Sequence, residues 1–265
     1  SKFDEETGQT IISGMGELHL EIIKNKLVRD MKINVEVGKP MVSYREAISR
    51  KAEDVRGLFK KQTGGRGQFG DCTITLEPFS AEQAKEAELD FTDNVAFENA
   101  IVGGSVPKEY IPSIEYGVRQ AALTGVTAGY QLINIKVTLT DGKYHAVDSS
   151  QVAFEQAGRL ALLEAVKEAG PMLLEPIMKV VVTCPEDYFG AVTGDISSRR
   201  GMITEQEDRG PVKMITCEVP LSEMFGYTTT LRSLSQGRAS NTMEFLEYRP
   251  MPRNLMEEVI KAGQK

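Results

Sequence analysis

An internal repeat near the C-terminal end constrains the fold more than any other feature of this sequence. A Phe-Gly pair at 189–190 is followed eleven residues later by Gly201, and a second Phe-Gly pair at 225–226 is followed eleven residues later by Gly237. Each unit begins after a strand-like run and a proline, and each ends in another strand-like run. Two such units in tandem give the order β-α-β-β-α-β. The repeat therefore predicts a ferredoxin-like domain over residues 175–265.

The composition describes a chain that can bury hydrophobic cores. The sequence has 265 residues, 41% of them hydrophobic, and domains of about 100–200 residues suggest two or three of them. No stretch of eighteen apolar residues occurs, so no transmembrane helix is expected. Three cysteines lie far apart in strand-like segments, which argues against a disulfide framework or a zinc site and favours the cytosol.

The charge of the chain is negative along its whole length. The net charge is −7, and each of the segments 1–39, 40–174 and 175–265 is acidic. A domain that binds nucleic acid is usually basic. Any contact with nucleic acid must therefore come from a local basic patch.

The first 39 residues have the pattern of half a domain. A strand end at 10–13, a turn at 14–16, a helix from Glu17 and an alternating strand at Ile33–Val37 make one β-α-β unit. One such unit cannot bury both faces of its sheet. We expect the missing half of this domain to lie upstream.

The middle segment, 40–174, alternates strands and helices. The pattern predicts a turn at Asp141-Gly142 and a capping box in which Asp148 caps a helix with Gln151 three residues on. The expected strands cover 41–50, 55–62, 69–76, 91–98 and 131–139, the helices cover 107–123 and about 151–168, and an exposed loop or short helix covers 80–90.

The glycine-rich run at 62–70 invites a phosphate-loop interpretation, which fails. A P-loop needs Gly-Lys-Ser/Thr at the start of a helix, and the dinucleotide fingerprint needs a β-α-β unit, but strand-like sequence flanks this run on both sides. The run is therefore a hairpin tip with Arg66 as its only charge. An ordinary turn and a loop whose small glycines approach RNA closely both remain open.

Three further residues attract attention without deciding a function. His145 follows a turn and precedes a helix, so it should be exposed, and a surface histidine without a role is the plainer interpretation. Arg199 and Arg200 end a helix, where basic residues are stabilising, and contact with RNA is the alternative. No catalytic triad or metal-ligand spacing is present in the sequence.

Long stretches of the sequence closely resemble the translation elongation factor G family. The likeness covers nearly the whole chain, with 80–90 the least typical segment. The stretches that carry it are SGMGELHLEI (13–22), QTGGRGQFG (62–70), GGSVPKEYIPSIEYG (103–117), DGKYHAVDSSQVAFEQA (141–157), PEDYFGAVTGDISSRRG (185–201) and VPLSEMFGYTTTLRSLSQGRASNTMEF (219–245).

The resemblance implies an α+β fold in three parts. Residues 1–39 would be the C-terminal half of domain III, which is ferredoxin-like. Residues 40–174 would be domain IV, an elongated, ribosomal-protein-like domain with a left-handed β-α-β crossover. Residues 175–265 would be domain V, ferredoxin-like with a short C-terminal helix. The family's nucleotide domain is absent from this sequence, so the chain is expected to bind neither GTP nor magnesium and to have no GTPase activity.

The resemblance also implies a function and partners. In this family the tip of domain IV enters the small-subunit decoding centre and helps tRNA and mRNA move from the A site to the P site. The expected partners are the ribosome, including the large-subunit rRNA of the factor-binding centre, tRNA and mRNA. The chain is expected to bind no membrane, metal or cofactor. It is expected to be a cytoplasmic monomer.

The family's contact residues carry over by position. The tip that meets tRNA and mRNA would comprise Thr63, Gly64, Gly65, Arg66, Gly67, Gln68 and His145, the last matching a position that eukaryotic and archaeal counterparts modify to diphthamide. A further tip segment would comprise Gly103, Gly104, Ser105 and Lys108, and Arg199 and Arg200 would contact large-subunit rRNA. The sequence departs from the commonest pattern at Asp71, where many bacterial factors have histidine, and at Thr229 and Thr230.

Three other interpretations remain at this point. One is a paralogue of the factor devoted to ribosome recycling. Another is a tetracycline ribosomal-protection protein, although the intact GGRGQFG tip speaks against it. The third is a metabolic enzyme that uses the glycine loop for phosphate, which the lack of an acid/base or metal constellation disfavours.

Overall fold

The computed structural model describes residues 1–4, 7–14, 17–38, 40–62 and 67–263. Contacts divide the chain into two compact units. One unit comprises Ser1–Ser43 and Glu175–Arg249, and the other comprises Tyr44–Leu174 and Pro250–Lys265. We call the first the ferredoxin-like unit and the second the tip unit.

The N-terminal segment contains one hairpin and one helix. Strand β1 (Lys2–Asp4) pairs antiparallel with β2 (Gln9–Ile11), and helix α1 (Glu17–Asn25) continues into a π-helical turn at Lys26–Asp30. The predicted strand at Ile33–Val37 is wrong, because residues 32–38 have no regular structure. The alternation is real, but no described strand pairs with this segment, and a lone strand leaves its backbone groups unpaired.

The tip unit is built on a four-stranded sheet. The sheet order is β4-β5-β7-β6, in which β6 runs parallel to β7 and the other neighbours are antiparallel. The parallel pair is joined through helix α3, so the unit contains a β-α-β crossover. The elements are β3 (Arg45–Ile48), β4 (Ala52–Lys61), β5 (Gln68–Pro78), α2 (Ala81–Glu86), β6 (Val95–Asn99), α3 (Ile111–Thr124), β7 (Ile135–Lys143), α4 (Gln151–Glu168) and the first residues of β8 (Pro171–Pro185), which pair with β3.

One face of this sheet packs on helix α4. A Cβ added at Gly57 or at Gly70 would collide with the backbone of α4, so glycine is what allows the strands to approach the helix closely. The residues that alternate with these glycines point to the opposite face, which we call the outer face. Buried apolar side chains on the helix side form the core, among them Ile74, Leu76, Val137, Leu139 and Phe154.

Two local predictions in this unit are wrong. Asp141 and Gly142 do not form a turn, because they pair with Thr73 and Cys72 inside the sheet after a shift of register at Thr73/Ile74. The cap of α4 is Ser150, whose hydroxyl accepts the N–H of Ala153. Asp148 does not cap the helix, and its carboxylate instead accepts a hydrogen bond from the N–H of Gly67.

The ferredoxin-like unit confirms the repeat. The remainder of β8 is followed by α5 (Phe189–Ser198), β9 (Met202–Arg209), β10 (Val212–Pro220), α6 (Tyr227–Leu234) and β11 (Ser240–Pro250). The sheet order is β11-β8-β10-β9, which is the ferredoxin-like arrangement. The two helices pack on one face over a core that includes Val182, Ile196 and Ile215. Helix α7 (Arg253–Gly263) follows β11 and belongs to the tip unit.

Candidate nucleic-acid interface

Three loops meet at one end of the tip unit. Strands β4, β6 and β7 run toward this end and β5 starts from it, as the pairs Lys61↔Gln68, Asp71↔Lys143 and Asn99↔Leu139 show. The sheet therefore brings the two ends of the glycine loop (62–67), Gln62 and Gly67, to the same edge as the segment after β6 and the loop before α4. Of the residues expected here, Thr63, Gly64, Gly65 and Arg66 lie outside the described residues.

His145 is presented to solvent by a closed loop. Its side chain is 57% exposed. Its N–H donates to Ser149 Oγ at 2.8 Å, and its carbonyl accepts the N–H of Ser149 at 3.0 Å. The ring nitrogen Nδ1 faces the N–H groups of Val147 and Asp148 at 3.4 and 3.3 Å, and also Asp148 Oδ2 at 3.4 Å. The inward nitrogen is thus engaged by the loop.

Asp148 and Ser149 join the histidine loop to the glycine loop. The carboxylate of Asp148 accepts the N–H of Gly67 at 3.0 Å, and its carbonyl accepts the N–H of Phe69 at 2.8 Å. The buried hydroxyl of Ser149 donates to the carbonyl of Phe69 at 3.0 Å. The ring of Phe69 lies 6.3 Å from that of His145. Two segments far apart in sequence therefore form one hydrogen-bonded tip.

The contact with Asp148 leaves little room for a side chain at Gly67. A Cβ at this position would lie 3.1 Å from Cγ of Asp148, which is tighter than ordinary packing allows without a shift. Gln68 beside it is exposed. From the sequence, Asp148 was predicted only as a helix cap, and Ser149 was not selected. The Asp-Ser-Ser run at 148–150 was the one sequence feature that indicated hydrogen-bonding side chains at this position.

The segment after β6 forms the third part of the end. Gly103 and Gly104 have φ values of +81° and +73°, which few other residues adopt, and open space surrounds both. Val106 is buried in the core beside Gly142, and it anchors the turn. Ser105 is partly buried and Lys108 is exposed.

The outer face near the tip carries basic side chains and one buried acid. Lys60 and Lys143 are exposed and form no ion pair with any other described residue. Asp71 is only 3% exposed and accepts two hydrogen bonds from Arg56, Nε to Oδ1 at 2.8 Å and Nη2 to Oδ2 at 2.6 Å. The departure from histidine at this position thus makes an internal ion pair.

Arg199 and Arg200 are built into the ferredoxin-like unit. Arg199 pairs with Asp195 at 2.8 Å, and its guanidinium lies 5.1 Å from the ring centre of Tyr227. Arg200 forms two hydrogen bonds of 2.8 Å with the buried carboxylate of Glu175, which raises the pKa of the arginine. These contacts give both arginines a structural role, and their contact with rRNA stays a prediction.

Arg238 is a basic residue of the same unit that the sequence gave no reason to select. It is exposed, and its guanidinium forms no hydrogen bond or ion pair with the part of the chain that the structure describes. It follows Gln236 and Gly237, both with positive φ. The nearby hydroxyl of Ser235 braces this turn by accepting the N–H of Ala239 at 3.0 Å.

Comparison with known families accounts for almost the whole chain. The family model of elongation factor G domain III matches residues 1–39, that of domain IV matches 40–170, and that of the elongation factor G C-terminus matches 172–259. A crystal structure of a protein from Thermus thermophilus is 38% identical, with a TM-score of 0.81 over 99% of this chain. This chain belongs to the elongation factor G family.

The matched models are those of the family's domains III, IV and C-terminus, which do not include its GTPase domain. The chain spans 38% of the length of the Thermus protein. Within the described residues, no helix is both long and apolar enough to cross a membrane, and no group of three histidine, cysteine or acidic side chains is placed to hold a metal ion.

Proposed function

We propose that this chain is the part of an elongation factor G that works inside the ribosome, and that its tip promotes the movement of tRNA and mRNA from the A site to the P site. The tip would enter the small-subunit decoding centre, while the ferredoxin-like unit faces large-subunit rRNA. The factor would act as a cytoplasmic monomer. GTP and magnesium would be bound by another part of the factor.

The observation that carries this proposal is the exposed His145 on a loop tied to the glycine loop. A factor that displaces a codon–anticodon duplex from its site needs a narrow projection that keeps its conformation when it contacts the RNA. Here Asp148 and Ser149 fix that shape through five hydrogen bonds to Gly67, Phe69 and His145. Because Nδ1 of His145 faces the loop, Nε2 is the nitrogen left to meet RNA.

The charge distribution fits a contact that has to be made and released. The chain carries a net charge of −7, so its body repels RNA, and affinity is left to a few residues at the tip. Phosphate contacts position a protein on RNA without reading its sequence, which suits a factor that must act on every codon. The tip would therefore work as a steric and electrostatic wedge.

The test replaces the tip histidine in the full-length factor. We expect His145→Ala to slow single-turnover translocation severalfold while GTP hydrolysis stays near the normal rate. The chain offers a matched control, since His19 is its only other histidine and lies on α1. His19→Ala should leave both rates unchanged.

Two results would contradict this proposal. An equal loss of translocation and GTP hydrolysis in His145→Ala would mean that the tip does not act in the movement step. A wild-type factor that splits ribosomal subunits but does not translocate would instead support the recycling function.

A further inference from the structure

We propose that Asp71 is a positioning residue that holds Arg56 against the phosphate backbone of RNA bound by the tip. Both residues lie on the outer face of the four-stranded sheet, where Arg56 is 54% exposed and Asp71 is 3% exposed. The inference rests on the proposed function, and it extends the contact surface from the tip loops onto the sheet.

The alternation of the strands places these side chains. Gly57, Gly70 and Cys72 face helix α4 or the core, so Arg56 and Asp71 point the other way. Lys60 pairs in register with Phe69, whose ring adjoins His145, and Lys143 pairs in register with Asp71. The outer face is thus continuous with the histidine loop.

The charge of this face changes along the strands. Near the tip it carries Arg56, Lys60 and Lys143, with Asp71 as the buried partner of Arg56 and the exposed Asp141, which pairs in register with Thr73, beside Lys143, so the area keeps a net positive charge. Away from the tip, Lys136 is neutralised by Glu77 at 3.7 Å and Glu98 at 2.8 Å. The three basic residues lie about 10–15 Å apart, which is comparable to the Debye length, so their fields add for a polyanion. A basic area confined to the tip end of an acidic chain is complementary to an RNA backbone.

The geometry of the pair explains why the arginine would be effective. Asp71 occupies Nε and Nη2 of Arg56, so the remaining N–H groups of the guanidinium point away from the carboxylate. A guanidinium held in place loses less side-chain freedom when a phosphate binds, and it presents its donors in a fixed fork. A lysine there, or an arginine without Asp71, would have the charge without that orientation.

The experiment compares four variants of the full-length factor on ribosomes. We expect Arg56→Gln to slow translocation about three- to tenfold, and to reduce the slope of log affinity against log salt by about one. Asp71→Asn should approach the same rate although it keeps the positive charge, and the double variant should be no slower than either single variant. Arg159→Gln is the matched control, an exposed arginine on helix α4 of the same unit.

The outcomes separate the inference from the proposed function. If His145→Ala slows translocation and Arg56→Gln behaves like Arg159→Gln, the assignment of Arg56 is wrong and the proposed function stands. If His145→Ala is also silent, the proposed function fails. Because a variant that leaves the buried Asp71 without its partner can unfold, each protein's melting temperature is measured, and Arg56→Lys, which keeps the charge at the pair, should give an intermediate rate. A photocrosslinker at position 56 that captures only ribosomal protein would also overturn the RNA assignment.

Discussion

The carboxylate of Asp148 accepts the backbone N–H of Gly67 at 3.0 Å, across 81 positions of sequence. This bond links the loop that carries the exposed histidine to the loop that carries the glycines. It also explains the glycine, since a side chain at position 67 would press on the carboxylate. The shape of the tip therefore depends on a residue that need not touch RNA itself.

Asp148→Ala should loosen the glycine loop without unfolding the unit. The N–H of Gly67 would lose a charged acceptor, and bonds of this kind contribute about 1.5–3 kcal/mol. We expect amide hydrogen exchange at 67–69 to accelerate about tenfold or more, while exchange in the core strands is unchanged. Asp141→Ala is the control, because the Asp141 carboxyl accepts the N–H of Gly142 within its own strand, a bond that lowers its pKa. Equal acceleration in both variants would contradict the role given to Asp148.

The sequence predicts structure where the signals are local, and it fails where a residue's partner lies in a distant segment. The repeat of Phe-Gly and Gly predicted the ferredoxin-like unit because its signals are local and periodic. An Asp-Ser-Ser run before a helix predicted a cap, because the partner that engages Asp148 lies in a distant hairpin. The strand predicted at Ile33–Val37 failed for a related reason, since a strand depends on a neighbour that the alternation of its own residues does not reveal. Resemblance supplied the tip residues, and only the sheet topology showed that the described ones among them, such as Gly67 and His145, lie at one end of the sheet.

Ser149→Ala should destabilise the tip unit and release His145. The hydroxyl is buried, accepts the N–H of His145 and donates to the carbonyl of Phe69, so its loss leaves two backbone groups unpaired. We expect the free energy of unfolding in urea to fall by about 1–3 kcal/mol. Ser150→Ala, which removes only the cap of α4, should cost about 1 kcal/mol. Translocation should be slowed by the first change and not by the second, and a reversed order would contradict the assignment.

Alkaline pH should destabilise the chain through its buried thiols. Burial raises the pKa of Cys72 to about 12 and that of Cys217 to about 11. In the unfolded chain these thiols ionise near pH 8.5, so above that pH the folded state binds more protons and its stability falls until the folded pKa is reached. We expect a loss of about 2 kcal/mol per thiol between pH 7.5 and 10. Urea titrations at several pH values should show a shallower fall for Cys72→Ala than for the wild type.

Variants of Arg200 and Arg238 should distinguish a residue that stabilises the ferredoxin-like unit from one that binds rRNA. Arg200→Gln leaves the buried carboxylate of Glu175 without its two hydrogen bonds, and breaking such a pair costs about 3–5 kcal/mol. We expect a lower melting temperature for this variant.

Arg238 forms no such bond among the described residues, so Arg238→Gln should melt like the wild type. If the unit faces large-subunit rRNA through this turn, Arg238→Gln in the full-length factor should weaken ribosome binding severalfold and flatten its salt dependence. Wild-type affinity for Arg238→Gln would place the contact elsewhere on the unit.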